Sequence, residues 1–123
     1  MVLIDTNILI EIYRDNVSVI DSVKLIGQNN LAISDITCAE LYFGARNKKE
    51  LHIIEKDLRK LQVLSIQTDV SKMAVELVAK YAMSHKLSIP DALIAATSIC
   101  NNLPLYTLNL KDFQYIDGLK LHK

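Results

Sequence analysis

The chain has no tryptophan and few aromatics of any kind, 6% of its residues. Leu, Ile, Val and Ala must therefore fill whatever core it builds. Cysteine is scarce too: Cys38 and Cys100 are the only two. Each lies among apolar or small residues, so the expectation is a pair of buried, reduced thiols and not a disulfide scaffold. No Cys-x-x-Cys pair and no His cluster suggests zinc. Charge of either sign is not in excess: 14 basic residues balance 14 acidic ones. That excludes coating nucleic acid by bulk charge, and leaves a local basic face open. Composition shows no sign of disorder or collagen, and there is no linker, repeat or low-complexity tract. The start lacks a basic leader with a cleavage site, and no apolar run approaches membrane-spanning length. The expectation is a soluble, cytoplasmic protein with no membrane partner.

What is abundant is hydrophobicity, half of 123 residues. That length is close to the commonest size for one domain, so a single domain over residues 1–123 is expected. Short apolar runs alternate with amphipathic segments. Strands are expected at 2–5, 31–34, 63–66 and 103–107, with "LKLH" (119–122) as a fifth at an edge. Helices are expected at 8–14, 18–29, 36–47, 48–62, 69–86 and 90–100. Strands alternating with helices predict an α/β fold: a parallel sheet of about five strands covered by helices on both faces.

In "VLIDTNILI" a carboxylate, Asp5, stands between two runs that belong in a core. Buried there, it is unfavourable unless something pairs with it. Ligands of open parallel sheets bind beyond the carboxyl ends of the strands, and Asp5 closes the first strand. Three more acids fall at the same kind of place: Glu40 in "SDITCAELYFGA", Asp91 in "SIPDALIAA" and Asp112 in "TLNLKDF". Each also reads as a helix cap, Asp5 directly and the others as parts of capping boxes. Spacing tests this for Glu40. If Ser34 is the cap, Glu40 lies too far into its helix to reach back. Four acids at one sheet end would repel one another and raise their own pKa values. A divalent cation resolves that repulsion, and carboxylates without His or Cys favour a hard ion, Mg2+ or Mn2+. Thr6, Asn7, Thr107 and Asn109 are the polar residues placed to hydrogen-bond a ligand, water or phosphate, or simply to make turns.

Residues 46–60 are rich in Lys and Arg. They read as a solvated helix with ion pairs such as Glu55–Arg59, or as a phosphate-steering patch. His85 reads as a surface or hinge residue, and His52 and His122 as surface or tail residues.

The four acidic segments, in this order over Val2 to Phe113, resemble the PIN domain, most closely the VapC-type toxins of toxin–antitoxin pairs. The resemblance implies a three-layer PIN-like fold and a metal-dependent endoribonuclease. Metal-ligand and catalytic roles carry over to Asp5, Glu40 and Asp91. The fourth position falls on Asn109 or Asp112, with Asp112 favoured as the acid and Asn109 in the polar shell. Structured RNA such as tRNA or rRNA is the implied substrate, cut by metal-activated water to leave a 5′-phosphate and a 3′-hydroxyl. The implied partners are a small antitoxin that wraps the toxin and covers the acidic pocket, and a second copy of the chain in a homodimer or larger assembly. Arg46, Lys48 and Lys49 become the expected RNA contacts. Two other readings compete. A non-catalytic PIN-like binding module would keep the fold without a productive metal. A receiver-type signalling domain would need paired acids after the first strand and an Asp ending the third, and "VLSIQT" offers none.

Overall fold

The structure, a computed structural model, covers residues 1–123. Four parallel strands form one sheet: β1 (Val2–Ile4), β2 (Leu31–Ser34), β3 (Gln62–Leu64) and β4 (Leu105–Tyr106), in the order β3-β2-β1-β4. The helices are α1 (Thr6–Tyr13), α2 (Val17–Ile26), α3 (Asp35–Phe43), α4 (Lys48–Leu58), α5 (Thr68–His85) and α6 (Ile89–Cys100).

β1 is central and its three residues are all buried. Alternate side chains of a strand leave opposite faces, so an uninterrupted apolar run is what a strand covered on both sides requires. Leu3 enters a core with Ala32, Leu105, Phe113 and the inner faces of α5 and α6. Val2 and Ile4 enter a second core with Leu31, Ile33 and residues of α1 to α4. The sheet is thus the middle of three layers.

The helices start where side chains cap them. Ser34 Oγ accepts from Thr37 N at 3.2 Å, Asn47 Oδ1 from Glu50 N at 2.8 Å, and Ser88 Oγ from Asp91 N at 3.2 Å. α5 ends with Lys86 in the left-handed conformation, a common way to stop a helix. Ala92, Ala95 and Ala96 of α6 are fully buried, and their small side chains let α5 pack closely. Phe113 is the largest fully buried side chain. It anchors the short 3-10 turn at Leu110–Asp112 against the sheet end.

Four expectations need correction. The fifth strand is reduced to one parallel bridge, Leu105 to Leu121, flanked by bonds from Leu105 N to Lys120 O and from His122 N to Leu105 O. The chain reaches the edge beside β4 only after winding through residues 113–119, and meets it at that single bridge. The thiols are free as expected, but both are only partly buried. Glu55 pairs with His52 and not with Arg59, which caps the end of α4; the other pairs of this segment are Arg46–Glu50 and Lys60–Asp57. Finally, α4 stops at Leu58 and leaves 59–61 as a turn into β3.

No helix is long and apolar enough to cross a membrane.

Candidate functional site

From β1 the chain runs outward through β2 to β3 on one side, then returns to add β4 on the other. The crevice between the carboxyl ends of β1 and β4 is therefore the point where the strand order reverses, the usual ligand position in such sheets. Asp5 and Thr107 face each other across it.

Asp5 is only 5% exposed. It caps α1, with Oδ1 accepting from Thr6 N at 2.7 Å. Its other oxygen accepts from Thr107 Oγ1 at 2.8 Å. Thr107 in turn accepts from Asn109 N at 3.0 Å and from Asn7 Nδ2 at 3.4 Å, while Asn7 Oδ1 accepts from Leu108 N. Every hydrogen-bonding position of the Thr107 hydroxyl is thus in use. Cap and site readings of Asp5 hold together: one oxygen serves the helix and the other joins the two strand ends.

For Glu40 the spacing test is decided. Ser34 caps α3, so Glu40 lies in the helix's second turn and is no part of a capping box. Its Oε1 accepts from Thr6 Oγ1 at 2.7 Å, and the Thr6 oxygen lies 3.1 Å from the buried Thr37 hydroxyl. A hydroxyl has one proton, so Thr6 gives its proton to the carboxylate and Thr37 donates to Thr6. The sequence offers Thr37 as the start of a capping box with Glu40; with Ser34 as the cap, Thr37 instead lies buried inside the helix and supports Thr6.

Asp91 lies in the first turn of α6 and is half-buried. Burial first, then the charges of Asp5 and Asp112, push its carboxyl up to about 6, against a bond from Ser88; Glu40 adds to the rise. Burial also raises Asp5 above its ordinary value. The Thr107 and Thr6 bonds pull it back, and Glu40 and Asp112 push it up further. The charges of Glu40 and Asp112 thus reach both Asp5 and Asp91, and the charge of Asp5 reaches Asp91. None of them is in an ion pair; the five that exist lie elsewhere. The side chains as they stand leave no group of three His, Cys, Asp or Glu arranged to hold a metal ion: the acids share a field, not a closed cage. Asp112 is exposed in its 3-10 turn, and Asn109 contributes its backbone N–H to the network.

The basic residues are placed separately. Lys48 and Lys49 are exposed in the first turn of α4 and carry no ion pair, while Arg46 is held by Glu50 at 3.0 Å. Arg46, Arg14 and Glu40 share a cleft of roughly 630 Å3 with Ile10, Tyr13 and Ile53. Beyond it Phe43 is almost wholly exposed, at 94%.

The model of the PIN domain matches residues 2–119. The chain belongs to the PIN-domain family. The expected recognition is therefore right, and the receiver-type reading falls. The Ribonuclease VapC10 of Mycobacterium tuberculosis is 32% identical over 122 residues, covering 98% of this PIN-domain chain and 91% of the relative. Among solved structures, a toxin–antitoxin complex from Klebsiella pneumoniae is 31% identical with a TM-score of 0.82, covering 97% of this chain and 95% of that one. VapBC2 from Rickettsia felis, bound to a DNA fragment from its promoter, is 29% identical with a TM-score of 0.82, over 99% of this chain and 98% of that one.

Proposed function

We propose that the chain is a divalent-metal-dependent endoribonuclease, the toxin of a type II toxin–antitoxin pair, acting in the cytoplasm as one PIN-like domain over residues 1–123. Its substrate is structured RNA, tRNA or rRNA, cut at a phosphodiester by hydrolysis. The observation that carries this reading is that Asp5 and Asp91, at the sheet's carboxyl end, stand in the repulsive field of Glu40 and Asp112, with no cationic partner on any of the four. On a PIN-domain chain whose relatives are named ribonucleases, that donor set has a use.

The donor chemistry fits a hard cation: all oxygen, and anionic. Asp5, Glu40, Asp91 and Asp112 would hold Mg2+ or Mn2+. Such an ion, when bound, neutralises phosphate charge and lowers the pKa of a water. The protein's own part is positional. The Thr107 hydroxyl and the Thr6 backbone N–H fix the Asp5 carboxylate before any ligand arrives, and the Thr6 hydroxyl fixes Glu40. A carboxyl pushed up to about 6, Asp91, is a group that can hold a proton near neutral pH until the cation takes its place. Lys48, Lys49 and Arg46 are the proposed contacts to the RNA backbone. The α1–α3–α4 cleft with Phe43 beside it suits an apolar helix of the antitoxin laid into a groove. A homodimer completes the proposed assembly.

The deciding experiment is cleavage of a tRNA pool by the purified chain with Mg2+ or Mn2+, with excess chelator, and with Asp5→Asn. Discrete fragments that need both the metal and Asp5 support the reading. Fragments that persist in chelator or with Asp5→Asn reject it.

A further inference from the structure

Three aromatic rings stand at the rim of the acidic crevice. His85, the last residue of α5, lies parallel to Tyr115, with ring centroids 3.9 Å apart and planes at 8°. Tyr81 meets Tyr115 edge-on at 5.1 Å and 65°, and meets His85 at 5.8 Å and 73°. Tyr81 is buried, and its hydroxyl accepts from Asp117 N at 3.1 Å, so the base of the cluster is fixed. Tyr115 is half-buried and His85 is exposed. The cluster therefore rises from the core to the surface, ending in an open imidazole face.

Its place relative to the acids follows from the chain: His85 stands three residues before Ser88, the cap of the helix that carries Asp91, and Tyr115 follows Asp112 by three residues. Burial chiefly, and then the charges of Asp91 and Asp112, hold the Tyr115 phenol above its usual value. The ring thus stands within the field of two of the four site carboxylates. A purely structural role explains Tyr81, which is buried. His85 is held as well, with its Nδ1 2.8 Å from Ser84 Oγ and its ring on Tyr115, so the exposed imidazole is fixed in place.

Consider what an RNA meets at this rim. The carboxylates repel its phosphates wherever the cation does not neutralise them, so a contact that does not depend on charge adds to the hold close to the cut. Nucleobases offer such a contact, since every base has a π face that stacks on aromatic rings. We propose that the His85–Tyr115 stack is the platform on which a nucleobase next to the scissile phosphate rests, so that these two rings help set where along an RNA the acidic site acts. This deepens the nuclease reading and rests on it.

The test uses an RNA oligonucleotide spanning the bond that the unaltered chain cuts. Steady-state kinetics are compared for the unaltered chain, His85→Ala, Tyr115→Leu and Tyr115→Phe. Each is run on the intact RNA and on versions with one abasic nucleotide at successive positions beside the cut. His85→Ala and Tyr115→Leu are expected to raise KM about fivefold or more, and Tyr115→Phe, which keeps a ring, to leave it nearly unchanged. One abasic position should raise the KM of the unaltered chain by a similar factor. On that RNA the two stack variants should add no further penalty, as two changes to one contact are not additive. His85 is exposed, so His85→Ala keeps the fold, and melting curves check the tyrosine variants. An unchanged KM, or a penalty of the same size on every abasic RNA, overturns the stack while the nuclease reading stands. If the unaltered chain cuts no RNA with either metal, the nuclease reading fails and the platform falls with it.

Discussion

Thr107 Oγ1 donates to Asp5 Oδ2 at 2.8 Å and joins residues 102 positions apart in the chain. This bond holds the only buried carboxylate of the site by its free oxygen. Thr107→Val keeps the shape and removes the donor. It should lower stability at neutral pH by about 1–3 kcal/mol, the usual loss for a buried charged group deprived of a partner. It should also raise the Asp5 carboxyl still further and slow cleavage. Urea unfolding and cleavage rates on the same preparations check this, and Thr107→Ser should restore both.

Asp91 makes stability depend on pH in a direction opposite to that of an ion-paired acid. Folded, its carboxyl is pushed up to about 6; its ordinary value is 3.8. Between the two the folded chain holds the extra proton, so in chelator stability falls as pH rises through that window. Asp5, also raised, adds in the same sense. Asp91→Asn should flatten the slope, raise stability at neutral pH by less than about 1 kcal/mol because water screens a half-buried group, and abolish cleavage. Urea midpoints measured across the acid range, for both proteins, give the slopes directly.

A divalent cation that binds the folded chain at the four acids must raise its melting temperature as its concentration rises. At one hundred times its Kd the gain is about 2.7 kcal/mol. Asp5→Asn should remove most of that gain. A melting curve indifferent to millimolar Mn2+ and Mg2+ would instead favour a PIN-like module that binds partners without cleaving RNA.

Lys48 and Lys49 carry no ion pair and stand on the first turn of α4. Replacing both by Ala should weaken RNA binding and reduce the slope of log K against log salt by about 1.4–1.8, the share of two phosphate contacts. Binding measured by anisotropy over a range of salt tests it. An unchanged slope returns these lysines to an ordinary solvated helix end.

Much of this arrangement could be read along the chain because its signals are local. The run Val2–Ile4 is apolar at every position, which only a doubly covered strand needs. The Ser34 cap fixes by counting that Glu40 is free for other work. What escaped depends on contacts between distant segments. The tail "LKLH" has strand-like alternation, but how many of its residues reach β4 is set by the winding of 113–119 before it. Glu55 is at equally good helical spacing from His52 and Arg59, and the choice turns on where α4 ends. Tyr115 sits in an irregular stretch with no periodicity to mark it. Its significance arises from His85 on another element and from acids brought near by the sheet. Thr107 was visible as a polar residue, but its partner was not, because no local rule links residue 107 to residue 5.

The central place of β1 has a consequence in time. A ribosome releases Asp5 long before it releases β4, so the growing chain exposes one edge of β1 and a carboxylate with half its partners missing. Thr107 arrives with the last strand, and Asp112 and Tyr115 follow within a few residues. Until then neither the crevice nor its rim exists. A fragment broken off before residue 105 would have two of the three strand pairings and no complete acidic cluster. The order of the chain therefore makes the acidic crevice one of the last features to be assembled.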